Sequence, residues 1–182
     1  MIITLGGLAG AGKSTIKRLL AKSLQLKSYS MGDMRGEMAK ARGITIDQLN
    51  DIGLNDPSTD NQVDEFQKTL GETQDNFVID GWMSWYFIPH SQKIFLTVDP
   101  DIAAARIFAD RHNNPSRSDE PEYADVEDTK KTLAARAAHN DTRYKKWYGA
   151  SYLDMNNYNL VLDTTNLTTD EVLGKILEFV QA

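Results

Sequence analysis

The chain has 182 residues, with 20 lysines and arginines against 26 aspartates and glutamates, so its formal net charge at pH 7 is −6. This length predicts one domain with a sizeable core, and the acidic balance argues against a nucleic-acid partner, whose phosphates need positive charge to neutralise them. The sequence contains no cysteine, which excludes disulfides, thiolate zinc sites and cysteine nucleophiles and favours a reducing compartment.

No apolar run is long enough to predict a membrane span. The first predicted strand begins so close to Met1 that we expect no signal peptide. We therefore expect a cytoplasmic monomer without a nucleic-acid or membrane partner.

A glycine-rich segment follows the first predicted strand. Residues 2–5 form that strand, and residues 7–15 fit the pattern G-x-x-x-x-G-K-[ST] in full, with apolar residues at helical spacing behind it. Glycines let successive backbone N–H groups turn inward, and the start of a helix adds positive potential, so the segment predicts a cradle for phosphate groups. The alternative is a glycine-rich turn that matches by chance, but both the strand and the helix stand in register with the motif.

The cradle predicts ATP and Mg²⁺ as cofactors. Lys13 can reach the β- and γ-phosphates of a nucleoside triphosphate, and the Ser14 hydroxyl can bind Mg²⁺. The expected nucleotide-binding residues are those of the whole loop: Gly7, Leu8, Ala9, Gly10, Ala11, Gly12, Lys13, Ser14 and Thr15.

The next elements carry two arginines. Residues 27–30 predict a short strand, and a helix over residues 33–42 should end at Gly43. Arg35 and Arg42 are seven residues apart and so share one face of that helix, where they could hold an anionic acceptor. A solvated basic stripe is the alternative.

Several helix starts are visible from their capping residues. The patterns that predict a capping box are Thr45-x-x-Gln48, Thr59-x-x-Gln62 and Thr168-x-x-Glu171, and Asp99-Pro100 predicts another helix that ends near Arg111. A long helix is predicted over residues 126–147. The remaining strands are predicted over residues 76–81, 93–98 and 159–163.

Apolar strands that alternate with helices predict an α/β fold, in which a parallel sheet carries helices on both faces. Ligands of such sheets lie beyond the carboxyl ends of the strands, so Asp80, at the end of its strand, should lie beside the glycine loop. Asp80 is therefore a candidate Mg²⁺ ligand, with a helix cap or turn acid as the alternative. The aromatic patch behind it could stack on a substrate ring or pack in the core, and consists of Trp82, Trp85, Tyr86 and Phe87.

Two arginines on the long helix form a candidate clamp. Arg136 and Arg143 are seven residues apart and share one face, and two guanidinium groups aimed one way suit phosphate oxygens. Ordinary ion pairing with the acidic residues 119–128 is the alternative.

The segment over residues 112–128 has no apolar periodicity and predicts a loop or lid. Arg106 and Arg111 precede it and could close on the donor nucleotide.

Together these residues resemble the nucleoside monophosphate kinases, and most of all the short archaeal-type cytidylate kinases. The resemblance runs almost end to end, through residues 2–15, 32–43, 78–81, 106–111, 136, 143–144, 148–149, 158–164 and 168–172. It implies a P-loop NTPase fold of three α/β/α layers with a five-stranded parallel sheet, in one domain. Its core would comprise residues 1–31, 75–111 and 129–182, with a monophosphate-binding insert over 32–74 and a lid over 112–128.

The resemblance also implies a reaction, the transfer of a phosphoryl group from ATP to a small-molecule nucleotide, CMP or dCMP. Lys13, Arg136 and Arg143 would be the catalytic residues. The acceptor-side residues would be Asp33, Arg35, Arg42, Asp80 and Trp82.

Two positions depart from the family. There, an arginine three residues beyond the acid of a Gly-Asp pair meets the acceptor's phosphate, whereas this chain has Gly36, with Arg35 one residue early and about 100° away around the helix. The family also tends to have Gly-Arg after the acid of the third strand, where this chain has Gly81-Trp82. These departures leave open whether Arg35 compensates. A kinase of another small acceptor, such as a sugar acid or coenzyme precursor, and a nucleotide-binding regulator without transfer are the alternatives.

Overall fold

The computed structural model describes residues 1–113 and 121–182. In chain order, the strands and helices are β1 (Ile2–Gly7), α1 (Lys13–Leu24), β2 (Lys27–Ser30), α2 (Met31–Ala41), α3 (Ile46–Gly53), α4 (Ser58–Thr73), β3 (Phe77–Asp80), α5 (Ser84–Phe87), β4 (Gln92–Thr97), α6 (Pro100–Asn113), α7 (Val126–Tyr148), β5 (Leu160–Asp163) and α8 (Thr169–Gln181). A 3₁₀ turn over Met155–Asn157 precedes β5. No helix of these described ranges is both long and apolar enough to cross a membrane.

The five strands form one parallel sheet in the order β2-β3-β1-β4-β5. The central strand, β1, pairs Leu5 with Asp80 of β3 and Gly7 with Leu96 of β4. The loop after β1 therefore leaves the sheet at the same edge as Asp80. This arrangement confirms the predicted α/β fold with a five-stranded parallel sheet.

Alternating side chains of the strands build a core on each face of the sheet, because successive residues point to opposite faces. Ile3 and Leu5 of β1 pack with α1 and α8, whose buried residues include Ile16, Leu20, Val172 and Ile176. Ile2 of β1 packs on the other face, with Phe77 and Ile79 of β3 and with residues of α2 and α4 such as Met31, Val63 and Leu70. Helices α2, α3 and α4 all lie between β2 and β3 in the chain.

Two predicted capping boxes are confirmed and one is wrong. Thr45 with Gln48 and Thr168 with Glu171 form both reciprocal bonds of a capping box. Helix α4 begins instead after Pro57, which has no side-chain acceptor, and the Thr59 hydroxyl donates to the Asp56 carbonyl oxygen at 3.1 Å. The N-cap is thus two residues before the position that the pattern predicted, and Thr59 lies inside the helix.

The predicted lid lies partly outside the described residues, which omit residues 114–120. Residues 126–128 form the first turn of α7, where the Asp125 side chain accepts a hydrogen bond from the Asp128 amide at 2.8 Å. A short helix that the sequence did not predict, α5, lies in the aromatic patch.

Replacing the N-cap of the last helix should weaken the fold. We expect Thr168→Ala to lower the free energy of unfolding by about 1 kcal/mol, because the Glu171 amide group loses the hydroxyl oxygen that accepts its hydrogen bond. Ser58→Ala is a matched control at the start of α4, where the amide of residue 58 donates to Asp56 Oδ1 and keeps that bond in the variant, and it should change the free energy by less than about 0.5 kcal/mol. Urea denaturation measures both, and equal effects would contradict the capping argument.

Candidate active site

Two clefts flank the glycine loop. The smaller, of about 270 Å³, is lined by Gly10, Ala11 and Gly12, by Arg106 and by residues around the start of α8. The larger, of about 570 Å³, is lined by Ala9, Lys13 and Ser14, by Asp80–Met83 and by residues of α2, α3, α4 and α7. A ligand that spans both clefts has to cross the loop.

The loop needs its glycines for conformation and for space. Gly10 and Gly12 have φ angles of +78° and +87°, in the left-handed region that favours glycine. A Cβ atom at Gly10 would lie 2.8 Å from the Ala103 Cα, so the loop rests directly on α6. Lys13 Nζ donates to the Leu8 carbonyl oxygen at 2.7 Å, which folds the lysine back across the loop.

Arg106 borders the smaller cleft. One guanidinium nitrogen donates to the Gly10 carbonyl oxygen at 3.3 Å, and another donates to the carbonyl oxygens of Thr164 and Thr165 at 3.3 and 3.4 Å. The side chain thus ties the loop to the segment between β5 and α8, and its contact with a donor nucleotide stays a prediction. Arg111 lies in α6, and it is not among the residues that line these two clefts of the described chain.

Asp80 borders the larger cleft as predicted, but a lysine that the sequence analysis overlooked is bound to it. Lys17 of α1 donates to Asp80 Oδ1 at 3.1 Å, and the same ammonium group lies 4.0 Å from Asp33 Oδ2. The available signal was the spacing, because Lys17 follows Lys13 by four residues and so lies on the same helix face.

Arg35 is bound to residues of α3 and α4. Its guanidinium group donates to Asn50 Oδ1 at 2.7 Å, to Asp60 Oδ1 at 2.6 Å and to the Thr59 carbonyl oxygen at 3.1 Å. Burial, and then the nearby charge of Arg143, lower the pKa of Arg35. The side chain borders the larger cleft, but these bonds hold α2 to α3 and α4.

Arg143 is fully buried and lines neither of the two clefts of the described chain. It donates to Asn50 Oδ1 at 3.0 Å and to the Tyr144 hydroxyl at 2.9 Å, and it lies 3.5 Å from Asp60 Oδ2. Burial alone would lower the pKa of Arg143. The nearby Tyr144 and Asp60 have the larger combined effect, so the pKa of Arg143 is raised. Gly53 leaves room for it, since a Cβ there would lie 3.1 Å from the arginine Cδ. We call Arg35, Asn50, Asp60 and Arg143 the buried ion cluster.

Arg136 borders the larger cleft, seven residues before Arg143. Its Nε and Nη2 lie 2.7 and 2.9 Å from the two carboxylate oxygens of Asp47 on α3. The predicted clamp is therefore divided, because the structure brings only one of its two arginines to the cleft. Arg136 pairs with Asp47 of α3, and Arg143 lies beside Asp60 of α4.

Near the end of α2, the cation that lines the larger cleft is Lys40 and not the predicted Arg42. Arg42 is exposed and follows the last helical residue, whereas Lys40 and Glu37 line the larger cleft together with Asp33 and Gly36. The seven-residue spacing alone could not separate the buried Arg35 from the exposed Arg42, since their neighbours come from other helices.

The aromatic patch divides between core and cleft. Trp85 packs against Tyr158, with ring centroids 5.8 Å apart, in a buried cluster with Phe95. Trp82 lines the larger cleft and stacks on Tyr152, with ring centroids 5.4 Å apart and an interplanar angle of 24°. The core alternative thus holds for Trp85, and contact between Trp82 and a substrate stays a prediction.

Helix α4 adds polar groups to the larger cleft that the sequence analysis did not single out. Asp64 and Gln67 line it, one helical turn apart. The Tyr148 hydroxyl donates to Asp64 Oδ2 at 2.6 Å, and the Ser84 hydroxyl donates to Gln67 Oε1 at 2.7 Å. Burial raises the pKa of Asp64 to about 6. The result is a fixed carboxyl group beside a fixed amide.

The sheet order, with the glycine loop at the carboxyl end of its central strand, defines the class of protein as a P-loop NTPase. The sequence pattern of the cytidylate kinase-like family matches residues 2–166. The chain therefore belongs to the cytidylate kinase-like family, as the resemblance predicted.

Two relatives and one solved structure agree with this family and fold. The chain is 30% identical over 176 residues to a cytidylate kinase of Methanopyrus kandleri, covering 96% of this chain and 90% of that one. It is 32% identical over 180 residues to an S-adenosylmethionine-dependent nucleotide dehydratase of Lacinutrix mariniflava, covering 98% of this chain but only 36% of that longer protein. A shikimate kinase from Bacteroides thetaiotaomicron has a TM-score of 0.65 at 15% identity, covering 100% of this chain and 99% of that one, which shows a common fold alone. The family and the fold together support nucleotide kinase activity.

The buried ion cluster predicts that Arg143 acts on stability. We expect Arg143→Met to lower the free energy of unfolding by about 3 kcal/mol or more, because Asp60 and Asn50 lose a buried partner. Lys145→Met is the matched control on the same helix, since Lys145 is exposed and its pair with Asp141 should contribute about 1 kcal/mol at most. Chemical denaturation measures both. An Arg143→Met protein of unchanged stability that has lost kcat would instead support the catalytic role predicted from the sequence.

Proposed function

We propose that this chain transfers the γ-phosphoryl group of ATP to CMP or dCMP. The observation that carries the proposal is the position of the glycine loop, which borders a small cleft on one side and a larger cleft on the other. Donor and acceptor in these clefts would meet at Lys13, so the reacting phosphates would lie over the loop. Positioning of this kind supplies much of the catalysis of phosphoryl transfer.

The donor nucleotide would occupy the smaller cleft, with Arg106 beside it. Its phosphates would accept hydrogen bonds from the loop amides and from Lys13, whose present partner is the Leu8 carbonyl oxygen. We assign Arg106 a binding role on this side.

The residues present fit a magnesium ion. Ser14 and Asp80 both line the larger cleft and offer the oxygen ligands that Mg²⁺ prefers, and Lys17 bonds only Oδ1 of the carboxylate. When bound there, Mg²⁺ would neutralise charge on the phosphate oxygens.

We assign Arg136 to the transferring phosphoryl group, because it borders the larger cleft. Its guanidinium group would exchange the Asp47 carboxylate for phosphoryl oxygens, which offer the same bidentate geometry. No general base is required, since the phosphate of the acceptor is already a nucleophile.

The polar wall of α4 supports cytosine as the base. A carboxylate oxygen of Asp64 can accept from the exocyclic amine of cytosine, and the amide of Gln67 can donate to the neighbouring ring nitrogen. Uracil in the same pose would place a carbonyl oxygen against the carboxylate. Trp82 lines the same cleft and offers an aromatic surface to the base.

A second candidate is a kinase of another small acceptor with hydroxyl groups. The acidic side chains that line the larger cleft favour it, since Asp33, Glu37 and Asp80 would repel a phosphate and accept hydrogen bonds from hydroxyls. Under this candidate Trp82 would contact the acceptor ring.

A panel of acceptors tests the proposal. We expect ADP release to be fastest with CMP and dCMP, slower with UMP and AMP, and absent with hydroxylated sugar acids.

Lys13→Ala should lower kcat at least about 100-fold, because the donor phosphates lose their main cation. Lys22→Ala is the control at an exposed lysine of the same helix. Preference for a hydroxylated acceptor would support the second candidate, and tight ATP binding without any accepted acceptor would indicate a regulator.

Base selection should depend on Asp64. We expect Asp64→Asn to lower the ratio of kcat/KM for CMP over UMP by about 10- to 100-fold, because an amide can donate to the uracil carbonyl where the carboxylate cannot. Glu65→Gln is the matched control at an exposed neighbour. Steady-state kinetics with both nucleotides measure the ratio, and an unchanged ratio would remove Asp64 from base recognition.

A further inference from the structure

Lys17 is a buried cation whose position is unusual for a lysine. Only 11% of its side chain is exposed, and its ammonium nitrogen lies 3.1 Å from Asp80 Oδ1 and 4.0 Å from Asp33 Oδ2. Burying a charge is costly unless partners compensate for it. Both of these partners line the larger cleft, so the ammonium group lies directly behind the cleft wall.

The position of Lys17 relates the acceptor side to the donor side. Lys17 follows Lys13 by four residues on α1, so the two side chains leave the same face one turn apart, with Cβ atoms about 5–6 Å from each other. The phosphate of an acceptor that reacts over Lys13 must approach to about 3–3.5 Å of the transferred phosphorus. A four-carbon side chain one turn away can reach that phosphate.

The ammonium group of Lys17 has more N–H donors than Asp80 uses. It carries three N–H groups, and Asp80 takes one of them within hydrogen-bonding distance. Asp33 is too distant for a hydrogen bond, and 85% of its side chain is exposed, so it can move away without leaving a buried acceptor unpaired. The wall residues Gly36 and Trp82 bring no charge of their own to this part of the cleft.

The nearby arginines are assigned other roles, Arg35 in the buried ion cluster and Arg136 at the transferring phosphoryl group. The guanidinium group of Arg35 donates to Asn50, Asp60 and backbone carbonyl groups, and that of Arg136 spans both oxygens of Asp47. Of these three cations, Lys17 is the one held between α1 and the acids at the edge of the sheet.

We infer that Lys17 binds the phosphate of the acceptor nucleotide, keeping Asp80 as its fixed partner and exchanging Asp33 for a phosphate oxygen. The inference rests on the proposed function, in that it takes the acceptor to be a nucleoside monophosphate. It places one lysine of α1 on each side of the reaction: Lys13 on the donor's phosphates and Lys17 on the acceptor's.

The experiment compares a nucleotide with its nucleoside. Calorimetry without ATP or Mg²⁺ measures the affinity of the full chain for CMP and for cytidine. We expect Lys17→Met to weaken CMP binding by about 10- to 100-fold and to leave cytidine binding unchanged, because the loss of a charge-assisted hydrogen bond concerns the phosphate alone. Lys17→Arg should retain most of the CMP affinity. Lys22→Met, at an exposed lysine of α1, should bind both ligands normally.

Lys17→Met leaves the Asp80 carboxylate buried without its partner and can destabilise the chain. Lys17→Gln keeps a hydrogen-bond donor for Asp80 without the positive charge, and it should bind cytidine normally and CMP poorly. Equal losses for CMP and cytidine, or no loss for either, would overturn the inference. A wild-type chain that binds no nucleoside monophosphate would overturn the proposed function and the inference with it, whereas normal CMP binding by Lys17→Met would overturn the inference alone.

Discussion

The central strand of the sheet sets the position of everything that surrounds the glycine loop. β1 is buried along its whole length and is paired on both sides, with its last residues level with Asp80 of β3 and Leu96 of β4. Because all five strands are parallel, the loop, Asp80 and the start of α6 meet at one edge of the sheet. The two clefts lie on either side of the loop, because the loop leaves the sheet at this edge.

Much of this architecture could be predicted from the sequence because its signals are local. The strand before the loop, the motif itself and two of three capping boxes each depend on residues close together in the chain. The third capping pattern was wrong because the N-cap of α4 is Pro57, two residues before Thr59, and the Thr-x-x-Gln spacing does not encode this difference.

The partners and the burial of the charged side chains could not be predicted from such local signals. Spacing shows which side of a helix an arginine occupies, but not which helix packs against that side. Arg136 and Arg143 share a face of α7, yet one meets Asp47 beside a cleft and the other is enclosed with Asp60 and Asn50. Lys17 was overlooked although its spacing from Lys13 was visible, because its significance lies in two acids that are distant in the sequence.

The buried ion cluster joins helices that are far apart in the chain. Asn50 on α3 accepts from both arginines, one on α2 and one on α7, and Asp60 on α4 lies between the same two guanidinium groups. Separating α2, α4 or α7 from the others would break a buried ion pair, at a cost of about 3–5 kcal/mol, and separating α3 would remove the acceptor that both arginines share. We therefore expect α2, α3, α4 and α7 to move as one rigid body. Any closing motion over the clefts would then have its hinges where these helices join the sheet.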